Sequence, residues 1–105
     1  MLINLNETES RELIPGFHGK MIHTDKITIA YWEVEAGAEI PEHSHHHEQT
    51  MQVTEGTFEL TVDGETRTYQ KGELVYLAPH VKHGGRAITS CKITDIFCPV
   101  REEYR

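Results

Sequence analysis

The stretch Pro41-Glu42-His43-Ser44-His45-His46-His47-Glu48-Gln49 concentrates the side chains of this protein that could do chemistry. Neutral imidazole is a good donor to a divalent transition-metal ion, and an amide oxygen can join it. Alternate side chains of an extended strand share a face, so His43 and His45 point the same way. Gln49 keeps that parity if the strand continues. His83, far downstream, is the fourth candidate, and the intervening strands would bring it back to the cluster. Glu48 and His47 compete with this set. Glu48 falls on the opposite face of a continuing strand, although a bulge between His45 and Gln49 would reverse that. His47 shares parity with His43 and reads as a neighbour of the ion, or as a ligand in a different register. His46 is expected to face outward, His80 sits on a corner beside His83 as a candidate pocket residue, and His18 and His23 read as surface residues. Three imidazoles and a neutral amide would leave the ion its full positive charge, where a glutamate ligand would cancel one unit.

A second group lies near the C-terminus. Ile93, Asp95 and Phe97 alternate with Thr94, Ile96 and Cys98, so Asp95 shares a face with two apolar residues and is expected to point inward. A carboxylate inside an apolar barrel, close to a metal, is a candidate proton-transfer group with a shifted pKa. Phe97 reads equally as core or as pocket wall. Arg101, two residues beyond Pro99, offers a planar donor for a substrate carboxylate.

Positioning these groups requires a scaffold of short strands. Ile27, Ile29 and Tyr31 alternate with Thr28, Ala30 and Trp32, and Phe58, Leu60 and Val62 alternate with Thr57, Glu59 and Thr61. Asp63-Gly64 is the strongest hairpin signal, because a type I′ turn needs positive φ at both central residues. Leu74 to Leu77 reads as a short buried strand, and Ala78-Pro79 as a corner before His83. Such a run of strands, broken by glycine turns and without a convincing helix, predicts an all-β barrel or sandwich. Residues 1–20 are polar and weakly patterned and read as an N-terminal arm, with a single barrel domain over 21–105. The charged residues after Val100 read as a tail.

At 105 residues the chain has room for one core. A formal charge of −7 argues against nucleic acid as a partner, and it requires any acidic ligand to be met by local positive charge or by the metal. No apolar run is long enough for a membrane helix, and the N-terminus lacks the apolar core of a secretory leader, so a cytoplasmic location is the default expectation. Cys91 and Cys98 form no metal or disulfide motif and are expected to be reduced.

Two spacings are those of a known family. Gly37, five residues, His43-x-His45, three residues, Gln49, six residues and Gly56 resemble the first cupin motif, with glutamine for the usual glutamate. Gly72, five residues, then Ala78-Pro79-His80-Val81-Lys82-His83 resembles the second. Ala78 stands where proline is usual, His80 where glycine is usual, and no asparagine follows His83. The resemblance implies a double-stranded β-helix, or jelly-roll barrel. More narrowly, Pro-Glu-His-Ser-His-x-His-Glu-Gln at 41–49, with Asp95-x-Phe97-x-Pro99-x-Arg101, is similar to small cupins of pectin and alginate degradation. Those enzymes linearise 4,5-unsaturated monouronates. The likeness implies one divalent transition metal (nickel, zinc, iron or manganese) on His43, His45, Gln49 and His83, with Asp95, Phe97 and Arg101 at the pocket. It also implies a small anionic sugar as substrate and a homodimer. An iron-dependent dioxygenase and a non-catalytic small-molecule-binding cupin are the alternatives on the same fold.

Overall fold

The computed structural model describes residues 1–105 and consists of ten strands and two short 3₁₀ turns, at Leu5–Glu7 and Glu102–Tyr104. The strands are β1 (Arg11–Ile14), β2 (Phe17–His23), β3 (Thr28–Val34), β4 (Glu39–His43), β5 (Glu48–Glu55), β6 (Thr57–Val62), β7 (Glu65–Gln70), β8 (Leu74–Leu77), β9 (His83–Ala87) and β10 (Cys91–Cys98). They form a six-stranded sheet, β1-β2-β3-β10-β5-β8, and a four-stranded sheet, β4-β9-β6-β7. This is the expected all-β jelly roll. No helix is long and apolar enough to cross a membrane.

Period-two patterning decides which side chains enter the core. On β3 the inward residues are Thr28, Ala30, Trp32 and Val34; on β10 they are Cys91, Ile93, Asp95 and Phe97. The register pairs Ile93 with Trp32, Asp95 with Ala30 and Phe97 with Thr28, so the two strands line one wall together. Across the core, Phe17 meets Trp32 and Phe58 edge-on, with ring centroids 5.9 and 6.4 Å apart. The Asp63-Gly64 turn has φ of +48° and +82° and joins β6 to β7 as expected. The three glycines of the family motifs, Gly37, Gly56 and Gly72, all hold φ between +83° and +90°. A side chain there would be strained, which explains their place in the pattern.

Three expectations about the scaffold need correction. The 1–20 segment is not a free arm: β1 and the start of β2 extend the large sheet, and Phe17 is fully buried. Burying a phenylalanine contributes about 2–3 kcal/mol, so this hairpin belongs to the barrel and the boundary drawn at residue 20 cuts through β2. Leu74–Leu77 is an edge strand, not a buried one, with Leu74 and Tyr76 exposed and only Leu77 fully enclosed. Finally, residues 41–49 are not one strand. β4 stops at His43, a bend carries His45 to His47, and β5 starts in the other sheet at Glu48.

Candidate metal centre

That break in the chain brings the donors together from three directions. His43 ends β4, His83 begins β9, and the two are cross-strand partners with ring centroids 4.3 Å apart. His45 rides the bend, and Gln49 faces inward from β5 in the opposite sheet. One ring nitrogen from each of His43, His45 and His83 lies within 4.8 Å of the others. The Gln49 Oε1 stands 3.1 Å from His45 Nε2. The convergence expected from strand parity is present, but a turn produces it.

Backbone carbonyls orient all three rings. His43 Nδ1 lies 3.0 Å from the Pro41 carbonyl, His83 Nδ1 2.9 Å from that of Val81, and His45 Nδ1 3.1 Å from that of His47. A proton on each Nδ1 donates to these oxygens and leaves each Nε2 lone pair turned to the centre. Burial lowers the His83 pKa, and burial with the Arg101 charge takes His45 down to about 4. Both imidazoles are then neutral donors at neutral pH. The His45 Nε2 lone pair and the Gln49 oxygen face each other as two acceptors, an arrangement that a cation between them resolves. This donor set fits a divalent ion.

The neighbouring residues separate clearly. His47 is buried and outside the triad, its Nε2 3.3 Å from the Val100 carbonyl and its Nδ1 without a partner; its own carbonyl orients His45. Glu48 is exposed and bonds to the Tyr76 hydroxyl at 3.3 Å, so it does not compete with Gln49. His46 and His80 are exposed. His80 lies outside the pocket but holds φ of +67°, at the position where cupins usually carry glycine. In that conformation its N–H donates to the His45 carbonyl at 2.8 Å and fastens the bend.

Asp95 points inward as expected. The Trp32 indole N–H donates to its Oδ2 at 3.0 Å, while Oδ1 is buried without a hydrogen-bond partner. Burial raises its pKa to about 7, although the adjoining Gln49 amide, the indole and the Arg101 charge all pull the other way. Arg101 has a side chain only 8% exposed, and its Nε is buried and unpartnered. Its one side-chain ion pair is with the exposed Glu103, at 3.4 Å. Phe97 settles into both of its readings, fully buried yet lining the pocket. These groups border a cavity of about 460 Å³ inside the barrel together with His43, Gln49 and His83, a size suited to one small molecule.

A pocket residue in contact with Arg101 escaped the sequence reading. Tyr104 lines the cavity from the C-terminal turn that was read as a charged tail. Trp32 reads from sequence as barrel filler or pocket lining, since alternation alone does not say which face of β3 turns inward; the structure puts it inside, with its N–H on Asp95.

A jelly roll in which three histidines converge beside an internal cavity defines a class of small β-barrels, and comparison with known proteins agrees on the fold. The cupin-domain profile matches residues 30–97, more than half of the chain, and the chain belongs to the cupin family. It is similar to an RmlC-like cupin from Shewanella frigidimarina, at 30% identity and a TM-score of 0.90 over 95% of this chain and 91% of that one. It is also similar to KdgF from Halomonas sp., at 26% identity and a TM-score of 0.93 over 100% of this chain and 98% of that one. The likeness to oxalate decarboxylase from Bacillus subtilis, at 15% identity and a TM-score of 0.81 over 92% of this chain and 29% of that one, is one of fold alone.

Proposed function

We propose that this cupin is a metal-dependent enzyme that opens the ring of 4,5-unsaturated monouronates. The observation that carries the reading is the pairing of two buried, under-partnered groups of opposite charge type beside the three-histidine centre. Asp95 has a free Oδ1 and a pKa near neutrality, and Arg101 has a free Nε. A desolvated guanidinium without a full partner favours an anion, and a carboxylate with a pKa of about 7 can both take and give a proton at working pH. The motif likeness to cupins of pectin and alginate degradation and the full-length similarity to Halomonas KdgF support the choice of substrate.

Arg101 receives the uronate carboxylate in this scheme, and Phe97 and Trp32 wall the ring in. Asp95 takes the proton of the anomeric hydroxyl. The C1–O5 bond breaks as C1 becomes a carbonyl, and its electrons leave an enolate over O5, C5 and C4. Asp95 returns the proton to C4, and C5 becomes a ketone. Bonds and protons balance without an oxidant. A divalent ion on His43, His45, His83 and Gln49 would supply Lewis-acid charge close to the developing enolate. The Trp32 N–H holds the carboxylate of Asp95 in one rotamer while its Oδ1 stays free to act.

The test is a paired assay on purified protein: metal content, then decay of the unsaturated-uronate absorbance with loaded and with stripped protein. Faster decay with loaded protein alone is the expected result. Bound metal with no change in decay would refute the uronate assignment, and oxygen uptake in the same protein would favour the dioxygenase alternative.

A further inference from the structure

The C-terminal turn, which the chemistry above does not use, is built into the pocket. The Arg101 guanidinium carbon lies 4.9 Å from the centre of the Phe97 ring and 4.4 Å from that of Tyr104. These two rings meet at 82°, with centroids 5.6 Å apart, so they form a right-angled corner around the cation. Tyr104 also meets Trp32 edge-on at 5.8 Å, and Trp32 in turn bonds to Asp95. The turn is fastened from outside the cavity. The Arg11 guanidinium on β1 donates to the Tyr104 carbonyl, and His23 on β2 reaches the same oxygen at 3.3 Å.

We propose that Tyr104 is a positioning residue for anion binding, holding the Arg101 guanidinium in the plane from which it receives a ligand carboxylate, and that the Arg11 contact holds Tyr104 in place. This deepens the uronate reading and rests on Arg101 as its carboxylate anchor. An arginine side chain has several soft torsions, and here the only carboxylate within reach, the exposed Glu103, meets one terminal nitrogen at 3.4 Å and leaves the buried Nε unpartnered. Aromatic faces restrain it instead, through attraction of the cation to the π-system. Here one face comes from β10 and the other from the turn. The ring, rather than the hydroxyl, is the working part: burial raises the phenol pKa to about 12 and keeps it neutral.

The test separates binding from turnover. Trp32 is the only tryptophan, and it touches both Tyr104 and Asp95, so its fluorescence reports on this corner. Metal-loaded protein is titrated with D-glucuronate, which lacks the alkene that ring opening requires, and with glucose as a neutral control. Tyr104→Phe should bind glucuronate within about twofold of the natural protein, and Tyr104→Leu about tenfold more weakly, the range of a desolvated cation–π contact. With the unsaturated uronate, Tyr104→Leu should raise KM while leaving kcat and metal content nearly unchanged. A merely structural residue would lower kcat and metal content as well. Arg11→Met, which leaves every pocket side chain in place, should weaken glucuronate binding in the same direction and keeps the test alive if Tyr104→Leu does not fold. Unchanged binding in both variants overturns the proposal, and so does a natural protein that binds no glucuronate. Normal binding with no ring opening would instead leave Tyr104 in its role and remove the uronate reaction.

Discussion

Replacing Asp95 by asparagine should stabilise the protein and disable it at the same time. The buried carboxyl has a pKa of about 7 against an ordinary 3.8. In the folded state it keeps its proton up to about pH 7, whereas the unfolded chain releases it near 3.8. Below that lower value both states are protonated and the group contributes nothing to pH dependence. As pH rises from about 4 to about 7, folding increasingly opposes ionisation, and stability falls; above 7 the loss is constant. Roughly three units at 1.36 kcal/mol each give about 4 kcal/mol. Asparagine cannot ionise, and its carbonyl can still accept from the Trp32 indole. In metal-stripped protein, urea unfolding followed by circular dichroism should therefore show Asp95→Asn and the natural protein nearly equal at pH 4. At pH 8 the variant should be more stable by up to about 4 kcal/mol. Loaded with metal, the variant should lose at least about 100-fold in uronate turnover, the scale of a general acid–base group. Histidine titrations are common to both proteins and cancel in the difference. A stability gap that is the same at both pH values would refute the argument from burial, and full activity in the variant would refute the proton-transfer role.

Other perturbations follow from the same geometry. His83→Ala removes a donor whose Nδ1 is fixed by the Val81 carbonyl; metal content after dialysis should fall at least about tenfold, and normal loading would exclude His83 as a ligand. Trp32→Phe deletes the donor to Oδ2 of Asp95, which should cost about 1–3 kcal/mol in urea unfolding at pH 8, where that carboxyl is ionised. An unchanged midpoint would mean that the indole bond carries no weight. Glu103→Gln removes an exposed carboxylate that lies 3.4 Å from the Arg101 guanidinium. KM for an anionic sugar should then drop about two- to fivefold, as for an exposed ion pair, and a rise in KM would show that Glu103 assists binding.

Much of the fold was legible because β-strands write their orientation into alternation. The inward set on β10, Asp95 included, follows from period two alone, and the Asp63-Gly64 hairpin from the positive φ that its turn requires. The histidine cluster was harder. Parity picked His43, His45 and Gln49, yet the chain changes sheets between them, and no local pattern distinguishes a bend of histidines from a strand of them. Residues 1–20 read as an arm because Phe17 is a lone strong signal among polar neighbours, and its partners in the core, Trp32 and Phe58, are distant in sequence. Tyr104 was hidden by its company. It sits among Glu102, Glu103 and Arg105, and only the fold brings that segment under β1 and β2.

The division of donors between sheets has a mechanical consequence. His43 and His83 belong to the four-stranded sheet, Gln49 to the six-stranded one, and His45 to the span that crosses between them. An ion held by all four would rivet the two sheets of the barrel together. Global stability would then become a readout of metal supply, rising by about 1.4 kcal/mol for each tenfold excess of free metal over its dissociation constant. Slowed hydrogen exchange should appear together in β4, β5 and β9, although these strands lie in two different sheets.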